Sequence, residues 1–305
     1  MNNEPNELDP DNLAPRPQAL LSDERADFLH VNGLRLLCRQ WGPPRGTPIV
    51  LLHGLRGFSG TWRPLAASLS KQYRLIAFDQ RGRGESDWDP QHNYYTDAYL
   101  ADLEGIVGQL GLKRFVLLGH SMGGTTSYVY ADRHPERLFG LIVEDIAPGS
   151  SATGDGAHRI VAEMQTLPSA FNGWSEARQY WRRLRPSLNT SAIEQRVAES
   201  MSQLPDGRVG WRYDADGIRK TRVHPDPARM VDLWPIVERL RTPTLVIRGE
   251  RSDFCRASTV ASMCARNPII AAVPIANAGH YVHDDAPAEF LAHISAFLRA
   301  HAPQN

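Results

Sequence analysis

Five short stretches of the chain carry residue types that can do chemistry together. Gly119-His120-Ser121-Met122-Gly123 sets a serine in a Gly-x-Ser-x-Gly frame. Ala278-Gly279-His280 brings a histidine near the C-terminus, and His53-Gly54-Leu55 follows an apolar run. Asp145 and Asp253 each come just after an apolar run of their own. A serine hydroxyl is a weak nucleophile near neutral pH. It needs an imidazole to take its proton and a carboxylate to fix the imidazole tautomer. The oxygen of the attacked carbonyl then needs fixed N–H donors, each worth roughly 3–4 kcal/mol when well aimed. The five stretches contain every one of these parts, which points to acyl transfer through Ser121 with His280 as general base.

Context raises the serine motif above a chance match. It follows the apolar run Phe115–Leu118 and opens a helical pattern at Met122, the strand–turn–helix setting of a nucleophile elbow. The glycines remove side chains that would strike the neighbouring strand and helix. The amide of Met122, next after the nucleophile, is one expected oxyanion donor. The amide of Leu55 is the other, with Gly54 letting the backbone come close and His53 holding that loop. For the acid, Asp253 is the first choice and Asp145 the alternative, because both reach the C-terminal sheet edge where open α/β sheets bind ligands. His283, Asp284 and Asp285 lie close to His280, but a His-x-x-His on a loop is a weak metal signal, and no metal is expected.

Residues this far apart need a scaffold that gathers them. Unbroken apolar runs at 48–52, 73–78, 115–118, 138–143, 244–247 and 269–273 suit strands covered on both faces. Helical patterns lie between them at 62–69, 97–110, 122–133, 257–265 and 288–300. Strand and helix alternating in this way imply βαβ units and a mostly parallel, doubly covered sheet. Asn32-Gly33 predicts a tight hairpin turn between 28–31 and 34–41. From 147 to 241 no strand pattern stands out, and the segment reads as a helical cap inserted into a core made of 26–146 and 242–305. Residues 1–25, rich in Pro, Asn, Asp and Glu, read as a mobile tail.

Taken together, His53-Gly54, Asp79-Gln80-Arg81-Gly82-Arg83-Gly84-Glu85-Ser86, Gly119–Gly123 and Gly279-His280 resemble the α/β-hydrolase superfamily, in particular its capped serine-esterase branch. The resemblance runs from about residue 27 to 298. It implies the α/β-hydrolase fold, a triad of Ser121, Asp253 and His280, a two-donor oxyanion hole and no cofactor. A neighbouring esterase branch carries its acid at the position matching Asp145. Relatives that open epoxides or remove halides carry aspartate at the elbow, and Ser121 argues against both chemistries.

Composition narrows the partners. The chain of 305 residues holds 34 basic and 34 acidic residues, so no net charge draws it to nucleic acid or an anionic membrane. The start is polar and acidic, without the basic and then apolar pattern of a secretory signal, and no stretch has the length of a membrane span. Cys38, Cys255 and Cys264 read as free thiols of a reducing cytoplasm. The expected partner is a small-molecule ester or lactone, and the oligomeric state is not read from the sequence. Arg56 is a candidate for pairing with a substrate carboxylate. Trp174 and Trp181 are candidates for an apolar pocket wall. Two other functions fit the same parts: hydrolysis of a carbon–carbon bond in a ring-fission product, and a ligand receptor built on a hydrolase scaffold.

Overall fold

A computed structural model describes residues 12–15, 19–150, 154–186 and 188–303. Its centre is an eight-stranded sheet of β1 (Arg25–Val31), β2 (Leu34–Trp41), β3 (Thr47–Leu52), β4 (Tyr73–Phe78), β5 (Phe115–His120), β6 (Leu138–Glu144), β10 (Thr244–Gly249) and β11 (Ile270–Ile275). The strand order is β1-β2-β4-β3-β5-β6-β10-β11, antiparallel at β1/β2 and β2/β4 and parallel from there on. Asn32 and Gly33 both take positive φ, 51° and 80°, the backbone of the tight turn expected there.

The apolar runs serve both faces of the sheet. Val50, Leu52, Ile76 and Phe78 point to one side, where Leu103, Ile106, Tyr128 and Val237 from helices cover them. Ile49, Leu51, Leu75 and Ala77 point to the other, under Leu65, Phe290, Ile294 and Leu298. Alternate side chains of a strand face opposite ways, so a strand buried on both sides must be apolar throughout. This explains why these runs show no polar alternation.

Between β6 and β10 lies an insertion. Among the described residues it carries four helices, Asp155–Gln165, Trp174–Leu184, Thr190–Ser200 and Ala215–Val223, around a core of its own that includes Met164, Phe171, Trp181, Trp211 and Ile218. It also holds a small antiparallel sheet of β7 (Ala170–Phe171), β8 (Met201–Gln203) and β9 (Val209–Trp211), ordered β7-β9-β8. The purely helical reading of 147–241 is therefore corrected. Strands of two or three residues are too short to show a period. The C-terminal boundary moves as well, because Leu233, Ile236, Val237 and Leu240 pack into the main core beside the sheet.

The insertion is fastened to the body differently on its two sides. On one, main chain joins main chain: the Asp214 amide donates to Gly82 O at 2.9 Å, and Arg83 and Tyr213 form an isolated β-bridge. On the other, ion pairs join Arg159 to Asp253, Arg185 to Asp285 and Arg196 to Asp284, beside one longer main-chain bond from the Gly156 amide to Asp253 O at 3.2 Å.

The proposed tail divides. Residues 1–11 and 16–18 lie outside the described residues. Leu21 packs against the main core, and Glu24 accepts from Arg39, Trp41 and Arg63 at 2.9–3.0 Å. The body thus begins before residue 25. Among the described residues, no helix is long and apolar enough to cross a membrane, and the three cysteines are free thiols.

Candidate active site

Ser121 stands where β5 ends and the helix Met122–Arg133 begins, at φ 52° and ψ −116°. A non-glycine residue holds such a conformation only when its surroundings over-determine it. They do so here: the Ser121 amide donates to Glu144 O at 3.0 Å, and Thr125 donates back to Ser121 O at 3.0 Å. A Cβ on Gly119 would lie 2.4 Å from Gly123 O, and one on Gly123 would lie 2.6 Å from Leu52 O. Only glycine lets strand and helix close to this distance.

Strand register then decides which carboxylate reaches the imidazole. His120 pairs with Glu144 across β5 and β6, so the next residues, Ser121 and Asp145, leave neighbouring strands side by side. The loop after β11 brings in His280. Its Nε2 lies 2.9 Å from Ser121 Oγ and its Nδ1 lies 2.7 Å from Asp145 Oδ2. A proton on Nδ1, facing the carboxylate, leaves Nε2 free to accept from the hydroxyl. Asp145 is fully buried. Its Oδ1 accepts from the Gly249 amide at 2.8 Å, and its Oδ2 also accepts from the Ser252 hydroxyl. Phe254 stacks on the imidazole with ring centroids 4.1 Å apart, and His120 Nε2 donates to His280 O at 2.9 Å.

Asp253, the first choice from sequence, is not at His280. It accepts from Arg159 through both oxygens, at 2.8 and 3.1 Å. Burial alone would raise its carboxyl, but the Arg159 fork and charge outweigh burial and hold it below the ordinary value. The correction has a simple cause. Asp145 follows the strand next to β5, whereas Asp253 follows a strand one further out.

The oxyanion candidates sit across the nucleophile. Leu55 and Met122 line the same cavity as Ser121 and His280. Among the described residues neither of their amides has a hydrogen-bond partner. Gly54 is needed for the close approach, since a Cβ there would be 2.6 Å from His120 Nδ1. His53 holds the loop as expected: its Nε2 accepts from the Gln80 amide at 3.0 Å and its Nδ1 donates to Gly54 O at 2.8 Å. Burial pushes its pKa down to about 3, so it stays neutral. Arg83, at 1% exposure, ties both candidate donors in place through Leu55 O at 3.3 Å and Met122 Sδ at 3.4 Å.

The pocket residues divide. Arg56 lines the cavity, with Nη1 donating to Glu163 Oε2 at 2.9 Å and with Nε and Nη2 buried without a partner. Trp174 and Trp181 do not line it. Both are buried in the insertion's own core, where Trp181 Nε1 donates to Ser200 Oγ at 3.1 Å. Phe254, Tyr95 and Arg222 line the cavity but carry no motif that marks them in the sequence. His120, Glu144 and His283 bring possible metal ligands within 4.8 Å of one another. His283 Nδ1 is already held by Glu144 at 2.7 Å and His120 Nε2 by His280 O, which makes the cluster a support beneath the His280 loop.

Known proteins share this architecture. A Bacillus subtilis (strain 168) protein, named provisionally as a 2-succinyl-6-hydroxy-2,4-cyclohexadiene-1-carboxylate synthase, is 31% identical over 271 residues, 88% of this chain and 96% of its own. An sn-1-specific diacylglycerol lipase of Mus musculus is 29% identical over 254 residues, 82% and 80% of the two chains. The crystal structure of an E-2-(acetamidomethylene)succinate hydrolase superposes with a TM-score of 0.81 at 24% identity, covering 90% of this chain and 99% of that one. The profile of the alpha/beta hydrolase fold matches residues 47–287, and the chain belongs to that family.

Proposed function

We propose that this hydrolase cleaves a carboxylic ester or lactone through an acyl-enzyme on Ser121, with His280 as general base and Asp145 as the triad acid. The observation that carries the reading is the unbroken chain Ser121 Oγ–His280–Asp145, with spans of 2.9 and 2.7 Å. Both spans lie within reach for proton transfer. In the first half-reaction Oγ attacks the acyl carbon and its proton passes to His280 Nε2. The carbonyl oxygen takes the charge beside the Leu55 and Met122 amides. His280 then gives the proton to the departing alcohol oxygen. In the second half a water repeats the attack, its proton goes to His280 and on to Ser121, and the acid leaves. The net change is ester plus water to acid plus alcohol.

Asp145 keeps His280 in the tautomer that can accept, and it offsets the charge of the imidazolium. Phe254 covers one ring face and limits access of water. The insertion, by supplying the far wall of the cavity, acts as a cap. The relatives' named activities, a synthase and a lipase, diverge, so the cavity itself must indicate the substrate. A fluorophosphonate should label the wild-type protein at Ser121. Ser121→Ala should lose labelling and essentially all turnover of activated acyl esters. Wild-type turnover retained by Ser121→Ala would sink the reading.

A further inference from the structure

The cavity contains a cation without a counter-ion. Arg222, at the end of the helix Ala215–Val223, lines it on the insertion side, together with Tyr95 and Thr96 of the body. Arg222 is half-buried. Its Nε is buried and bonded to nothing, and its guanidinium makes no hydrogen bond or ion pair among the described residues. The other arginines nearby have partners, although Nε and Nη2 of Arg56 are buried without one. Arg229 pairs with Asp97, and Arg56 pairs with Glu163. Arg83 has no carboxylate either, but it donates to Arg81 O at 2.8 Å and Tyr99 Oη at 2.6 Å. The one triad carboxylate, Asp145, is committed to His280. Burial, together with the repulsion of Arg83, pulls the Arg222 guanidinium below its ordinary value.

Holding a guanidinium partly out of water without a counter-ion is unfavourable. A fold that keeps such a group facing a cavity beside its nucleophile leaves the missing charge to a ligand. The planar fork matches a carboxylate through two parallel N–H···O bonds. Mechanism tells which half of the substrate carries it. The departing oxygen must lie by His280 Nε2, on the side of Phe254 and Tyr281. Arg222 has Tyr95, Tyr99 and Arg83 as its electrostatic neighbours, and Arg83 is the residue that braces the oxyanion loop. The acyl chain runs toward that wall.

Resting on the serine-hydrolase reading above, we propose that Arg222 is a specificity residue and that the acyl group cleaved here bears a second, free carboxylate: the substrate is a monoester of a dicarboxylic acid.

The test compares matched substrates. The 4-nitrophenyl monoesters of succinate, glutarate and adipate are assayed against the same esters with the free carboxylate capped as a methyl ester. Ser121→Ala supplies the background of spontaneous cleavage. For the best chain length, wild-type kcat/KM should favour the charged ester at least about tenfold. Arg222→Gln should lower that ratio by about tenfold or more, with Arg222→Lys in between, as the loss of a bidentate charged contact predicts. A wild-type enzyme blind to the charge at all three lengths overturns the proposal, as does an Arg222→Gln enzyme that keeps the preference. If Arg222→Gln does not fold, inhibition of the wild type on a capped ester decides. Glutarate inhibiting far better than glutaramide supports the site, and equal inhibition overturns it. Failure of the chemistry itself looks different: no ester is cleaved and Ser121 is not labelled.

Discussion

The two walls of the cavity are built on opposite terms. On the sheet side every polar atom of the triad already has its partner: Ser121 to His280, His280 to Asp145, and Asp145 to Gly249 and Ser252. On the side of the insertion, Arg222 has none. The first wall is finished before any ligand arrives, as pre-organised electrostatics require. On the proposed reading the second is completed by what binds, and reaction and selectivity are carried by different parts of the chain, one held by strand register and the other by the insertion.

Substitutions can break this contrast in order of size. Loss of the Ser121 hydroxyl is the largest, with kcat falling by about 10⁶ as for other members of a serine triad. Next comes the acid. Asp145→Asn should lower kcat by about 10²–10⁴, because an amide cannot hold the accepting tautomer, while Asp253→Asn should cost less than about tenfold. Steady-state kinetics on one neutral ester would separate the two, and the reverse ranking would return the role to Asp253. The Arg222 ratio, about tenfold, is the next step down.

The smallest effect concerns stability and sits in the insertion. Burial raises the Glu199 carboxyl to about 7, with Arg196, Gln195 and Arg63 offsetting part of the rise and Asp284 adding to it. A raised carboxyl folds best when protonated. Its contribution is complete below about pH 4.5 and is lost as pH climbs through about 7. Glu199→Gln removes that loss. Urea unfolding should find the variant more stable than wild type by about 1–2 kcal/mol at pH 8, with the gap closing toward pH 4.5. A gap of the same size at both ends would show that the carboxyl does not titrate in this range.

The same contrast explains what could be read from the residues alone. Ser121 and His280 were legible because their settings are local: a glycine frame after a strand, and a histidine after the last one. The doubly covered sheet was legible because Ile49–Leu52 and Leu75–Phe78 have no polar face to show. The acid was not, because Asp145 and Asp253 both follow strands and only the order β5-β6-β10 says which strand is adjacent to the serine. Trp174 and Trp181 misled because an aromatic side chain looks the same in the insertion's core as in a ligand wall. Arg222 could not be found at all. Being unpaired is a property of what surrounds a side chain, not of its neighbours in the chain.

The unequal fastening of the insertion gives it a hinge and a clasp. Gly82 and Asp214 share a main-chain bond that dissolved ions barely touch, whereas Arg159–Asp253, with both partners partly in solvent, weakens as counter-ions gather. The segment should swing like a door on the Gly82 side, so that ionic strength sets how often the entrance stands ajar. Exchange of backbone amides with deuterium, followed at low and high salt, should quicken along Asp155–Gln165 and stay level around Asp214.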